Sequence, residues 1–148
     1  MMGQGQGGIE VGRGEGTIRG ALLVLAASQL GLGVWMAVSP RTFFSVAGFG
    51  TRNDHYIRDV ATFYVALGAV LLMAALPRPS WRVPVLAFAT LQYGLHFVNH
   101  LIDVGNGHPG WVGPLDAASV GAGALAFSAV LVAALRWRVS EATARRPR

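Results

Sequence analysis

WRVPVLAFATLQYGLHFVNHLIDVGNGHPG, residues 81–110, decides the architecture. Nothing charged lies between Arg82 and Asp103, a gap of 20 residues. A helix that crosses a bilayer needs about 20 mostly apolar residues. Backbone polar groups in lipid must bond internally, so such a run should be α-helical. This run is not uniformly apolar. At about 100° per residue, Gln92, His96, Asn99, His100 and Asp103 share an arc of about 100°. They form one polar stripe from mid-helix to its far end.

Three other runs show the same charge gap. Arg19 to Arg41 encloses 21 residues, Asp59 to Arg78 encloses 18 and Asp116 to Arg136 encloses 19. The expected architecture is all-α: a four-transmembrane-helix bundle with short connections, spanning 20–39, 58–77, 82–103 and 115–136. Residues 17–138 form the domain. Composition agrees, since 53% of the chain is hydrophobic and only 13% charged, where soluble domains carry about a quarter charged residues. Trp35, Trp81, Trp111 and Trp137 all fall near run ends, as an aromatic belt requires. The absence of cysteine excludes disulfides and thiolate chemistry in this chain.

All twelve basic residues are arginine. They flank apolar runs, so the net charge of +5 points to a membrane and not to nucleic acid. Nine lie in the two tails and the second connection, against three in the first connection and none in the third. The positive-inside rule then places both termini in the cytoplasm of a multi-pass cell-membrane protein. A cleaved signal peptide competes for the first run, but that run exceeds the usual signal core of about 7–15 residues.

Residues 1–16, MMGQGQGGIEVGRGEG, read as a glycine-rich disordered tail, and 139–148 as a basic tail suited to an anionic leaflet. No strand precedes the glycines, so nothing supports a nucleotide. After the first run, Pro40 followed by Phe43, Phe44, Val46 and Phe49 predicts a short interfacial helix. Asn53 or Asp54 should cap the helix that follows. Small residues four apart, such as Ala117 and Gly121, mark helix seams within one bundle in preference to homodimer contacts.

A polar stripe in lipid is costly, so it should face the bundle interior or a wet cavity. The start of the second run offers a matching set, Arg58, Asp59 and Thr62, with Arg58 opposite Asp103. The candidate polar pocket is therefore Gln92, His96, Asn99, His100, Asp103, Arg58, Asp59 and Thr62, with Tyr93 at its edge and Gln29 a further buried polar group. Three readings stay open: a network that fixes helix register, a metal site, and a pathway for a small molecule or proton. For a metal, His96 and His100 at i and i+4 with Asp103 one turn on suit Zn²⁺ or Cu²⁺. His55, Asp59 or His108 would have to complete that set. A b-type haem fits less well, because its axial histidines approach from opposite faces. No serine or threonine nucleophile is set beside a histidine by any motif.

The layout resembles the DoxX-like small membrane proteins over residues 17–137. The resemblance lies in SPRTFFSVAGFG (39–50), YIRDVATFYVALGAVLLMAAL (56–76) and PSWRVPVLAFATLQYGLHFVNHLIDVGNGHPG (79–110). It implies a four-helix membrane fold and carries over Arg58. Some relatives are linked to quinone-coupled thiol oxidation, which this cysteine-free chain cannot perform directly. The expected function is a non-catalytic accessory subunit or ligand-binding module with an outward-facing polar pocket. The alternatives are a membrane oxidoreductase or metal-handling protein using His96, His100 and Asp103, and an oligomeric small transporter. Expected partners are the lipid bilayer and a larger membrane complex or further copies of the chain. No cofactor beyond a metal is indicated.

Overall fold

A computed structural model describes the backbone of residues 4–48, 50–77 and 80–144, and side chains between residues 14 and 143 within those stretches. It is all-helical. In chain order the helices are α1 (Gln4–Val38), α2 (Pro40–Ala47), α3 (Asp54–Ala74), α4 (Arg82–Ile102) and α5 (Val112–Ala144). A 3-10 turn at Val104–Asn106 follows α4. Among the described residues three helical segments are long and apolar enough to cross a membrane: Gly14–Val38, Asp54–Ala74 and Val112–Thr143. α4 has 21 residues, but its polar stripe makes it less apolar than those three.

Local chemistry sets the element ends. Pro40 stands at the first turn of α2, where its missing N–H costs nothing. Asn53 caps α3, its side-chain oxygen accepting from the Tyr56 N–H at 3.1 Å. α4 closes where Asp103 N–H bonds Asn99 O at 3.1 Å, and the next turn closes from Asn106 N–H to Asp103 O at 2.8 Å.

Two ends differ from the sequence reading. The segment expected as a disordered tail, 1–16, is helical from Gln4 onward, and α5 runs past 136 to Ala144. A helix adds one hydrogen bond for each residue it fixes, so a packed helix extends beyond its packed portion. Each glycine opposes this by about 1 kcal/mol. Arg145, Arg146 and Arg148 of the basic tail lie outside the described residues, as do Phe49, Arg78 and residues 1–3.

The helices form two antiparallel pairs. α1 lies along α3 and α4 along α5, while α1 and α5 join the pairs. Small residues set the approach within each pair. A Cβ on Gly68 would sit 2.6 Å from the Leu30 side chain, and one on Gly33 would sit 3.0 Å from Ala61 O. Gly121 and Gly123 receive the rings of Phe97 and Tyr93 in the same way. α3 and α4 meet only sparingly. Between them runs a lateral groove of about 360 Å³ lined by Phe63, Leu67, Val70, Val85 and Phe88, with no charged side chain.

At the end of the bundle that carries the termini, the first residue of α4 turns inward. Arg82 is 3% exposed. Its Nε donates to Ala74 O at 2.9 Å and its Nη2 to Leu76 O at 2.8 Å. Nη2 also lies 3.8 Å from Glu15 on α1, and the guanidinium sits 5.8 Å from the centre of the Trp137 ring on α5. Arg19 of α1 donates to the neighbouring Ala75 O at 2.8 Å. The last carbonyls of a helix have no partner within it. At the end of α3 the N–H groups of Ala75 and Leu76 serve the carbonyls of Leu71, Leu72 and Met73, and the two arginines from other helices serve the next three, those of Ala74, Ala75 and Leu76.

Replacing Arg82 with Met keeps the bulk and strands these carbonyls. The expected loss is about 2–4 kcal/mol, since hydrogen bonds to charged groups are worth about 1.5–3 kcal/mol each. Arg136→Met, at an exposed site, should stay within about 0.5 kcal/mol of the parent. Denaturation of the detergent-purified protein compares the two, and equal losses would contradict the role given to Arg82.

Candidate binding site on α4 and α5

α4 carries Gln92, His96 and His100 four residues apart, hence on one face. The Nε2 atoms of His96 and His100 lie 3.3 Å apart. The rings meet edge to face, with centroids 4.6 Å apart and planes at 86°. On the far side of His100, Nδ1 faces Asp116 Oδ2 at 3.8 Å. Asp116 stands in the first turns of α5. Both side chains are mostly buried, at 13% and 16% exposure. The buried Tyr64 of α3 lies within electrostatic reach of Asp116 and of Tyr93.

One further turn into the bundle the groups are uncharged. Tyr93 OH donates to Gln29 Oε1 at 2.9 Å, tying α4 to α1. Tyr93 also rests on Phe127 of α5, with ring centroids 4.8 Å apart. Gln29 is 4% exposed and Tyr93 6%. Beside them, Gln92 Oε1 is buried without a hydrogen-bond partner.

The residues expected to share one pocket separate into three places. Gln92, His96 and His100 stay together. Asn99 is exposed, and Asp103 turns into the loop, where its Oδ1 accepts from Asn106 Nδ2 at 3.0 Å. Arg58, Asp59 and Thr62 form a separate exposed group on α3. Arg58 Nε donates to Ala37 O at 3.4 Å, at the end of α1. Asp59 Oδ2 pairs with His55 Nε2 at 3.4 Å, and Thr62 Oγ1 donates to the Asp59 carbonyl at 2.6 Å. The cause is packing: α3 lies along α1, not along α4, so its polar end faces α1 and solvent. The candidate ligand set His96, His100 and Asp103 is likewise not assembled. Among the described residues no group of three or more His, Cys, Asp or Glu side chains is placed to hold a metal ion. His108 is exposed in the loop.

Asp116 is the site residue that sequence reasoning used only as a span boundary. The signal was present. In an antiparallel hairpin, residues equidistant from the turn face each other, and His100 and Asp116 are equidistant from His108. Tyr93 and Gly123, which touch, are also equidistant from it.

No family model, curated protein or solved structure matches the chain.

Chemically, the arrangement offers two imidazoles, one carboxylate and an unpaired amide oxygen inside an apolar bundle. It can bind a cation or a polar molecule, or hold a proton. The two serine hydroxyls of α5 on this side are engaged with their own helix: Ser119 Oγ donates to Asp116 O at 2.9 Å and Ser128 Oγ to Ala124 O at 2.7 Å.

The Gln29–Tyr93 bond yields a measurable coupling. Tyr93→Phe leaves a buried amide oxygen unmet and should cost about 1–3 kcal/mol, as should Gln29→Leu. The double variant removes both partners and should cost less than the sum by about 1 kcal/mol. A double-mutant cycle in detergent denaturation tests it, and strict additivity would mean that the two groups do not interact.

Proposed function

We propose that the chain is a multi-pass cell-membrane protein in which α4 is a fourth span, giving a four-transmembrane bundle of the DoxX-like kind with both termini cytoplasmic. In this reading the His96–His100–Asp116 cluster binds a small polar ligand close to the outer face. The protein acts as a non-catalytic binding module or as the accessory subunit of a larger membrane complex.

One observation carries the proposal. α4 is inverted relative to a soluble helix. Its exposed face bears Phe88, Leu91, Leu95, Val98, Leu101 and Ile102, each at least half exposed. Its polar groups other than the exposed Asn99 turn toward α1 and α5, where Gln29 and Asp116 meet Tyr93 and His100. Large exposed apolar faces are rare on soluble monomers, and a lipid-facing surface accounts for this one. The arginine asymmetry supplies the orientation.

The lack of native cysteine allows single-cysteine mapping without background. Thr51→Cys and Gly110→Cys should react with a membrane-impermeant maleimide on intact cells. Ser80→Cys and Thr143→Cys should react only after permeabilisation. Labelling of Gly110→Cys and Ser80→Cys from the same side would remove α4 as a span.

The binding role is tested through stability. A cluster kept for binding carries desolvated polar groups that packing does not need. His96→Leu combined with His100→Leu should therefore leave the melting temperature unchanged or raise it, because apolar residues often replace buried polar groups without loss. A marked fall would show that the pair holds the bundle together, and the binding reading would fail.

A further inference from the structure

The spacing of the two imidazoles, which lets one ring nitrogen donate to the other, also matches the bite of a metal ion. Two nitrogens on a tetrahedral ion with bonds of about 2.0–2.1 Å sit about 3.3–3.4 Å apart. His96 Nε2 and His100 Nε2 are 3.3 Å apart. Their i and i+4 positions on α4 hold both rings on one face. The rings are nearly perpendicular, and the histidine χ2 well is broad, so turning them aims both lone pairs at one point at little cost.

Two further groups fit an ion at that point. Asp116 Oδ2 lies 3.8 Å from His100 Nδ1. That is an ion-pair distance, longer than a hydrogen bond; a carboxylate that closes on a ligating imidazole takes the other ring proton and leaves Nε2 as the lone-pair donor. Gln92 lies one turn before His96 on the same face, and its Oε1 is buried with no hydrogen-bond partner. An amide oxygen there accepts from water on the ion.

We propose that His96 and His100 form a two-imidazole clamp for a divalent transition-metal cation of the zinc type, positioned by Asp116, with the ion's remaining positions held by water or an exogenous ligand. The inference rests on the binding reading above and supplies its ligand. It replaces Asp103, which turns away, with Asp116 in an orienting role. The two neutral imidazoles supply softer, more directional donors than a carboxylate pair, which selects zinc, cobalt or copper over magnesium or calcium.

The test uses the full chain, purified in detergent with an affinity tag free of histidine and stripped with a chelator. Co²⁺ reports tetrahedral coordination through its visible absorption, and Zn²⁺ competes for the same site. The expected result is one ion per chain. His96→Gln and His100→Gln should each weaken binding at least tenfold while preserving a polar side chain, and His96→Ala and His100→Ala should do the same. Asp116→Asn should weaken it by about 10- to 100-fold. His108→Ala and His55→Ala should leave it within twofold. Absence of a saturable cobalt band in the parent, or undiminished binding in the His96→Gln, His100→Gln pair, overturns the metal clamp. The leucine pair keeps the two failures apart. If it melts like the parent while no metal binds, the clamp alone falls; if it loses the fold, the binding reading falls with it.

Discussion

The closure of the bundle depends on one buried cation. α3 ends at the side of the molecule that carries the termini, and the carbonyls of Ala74, Ala75 and Leu76 at its closing turn take side-chain donors from other helices. Arg82, the next helix's first residue, bonds two of them and touches Glu15 and Trp137. Four helices thus meet at one side chain. A guanidinium suits the place because its rigid fork of donors serves several acceptors at once, which an ammonium cannot do from a single point. The tight link between α3 and α4 lies there. Beyond it the two helices diverge and leave the apolar groove, so the Arg82 contact, not a long packed seam, sets the position of α4 against α3.

The helical runs were legible because charge is so sparse. Arg82 opens α4, Asp59 and Asp116 stand just inside α3 and α5, and Asn53 caps where its chemistry says it should, whereas Arg19 lies well within α1. The face of α4 was legible too, since helical periodicity alone puts Gln92, His96 and His100 together. Neighbours across the bundle were harder. Arg58 and Asp59 share a depth with the stripe but not a side, because Gly33 and Gly68 draw α3 onto α1. Depth follows from counting residues along a helix; azimuth depends on which small residues let which backbones approach. The burial of Arg82 was hidden for a similar reason. A charge that borders an apolar run reads as a marker of the interface until the end of the preceding helix is placed beside it.

The two pairs of helices differ in what they offer. The α1–α3 seam is built from small and aliphatic residues, with Gly33 and Gly68 against Val65 and Leu30. The α4–α5 seam carries the aromatic and polar groups: Phe97 over Gly121, Tyr93 over Gly123 and His100 toward Asp116. Removing side-chain volume from α5 makes room for large rings on α4, and the rings in turn fix the register that sets His100 opposite Asp116. Packing therefore comes before electrostatics here. A one-residue slip of the hairpin would lift Tyr93 from its glycine and take the carboxylate away from the imidazole together.

Polarity along this seam is graded. Deepest in the bundle is a neutral amide–phenol bond, Gln29 to Tyr93, with every heavy atom contact inside the helices. Toward the loops come the two imidazoles, and then the carboxylate of Asp116. The cost of a charge in an apolar medium far exceeds that of a satisfied neutral dipole. A chain that must carry ionisable groups inside such a bundle therefore places them toward its ends, and the order along α4 follows that rule. The gradient ends at Tyr93, whose ring packs on Phe127 with centroids 4.8 Å apart, so that apolar packing takes over where the polar groups stop.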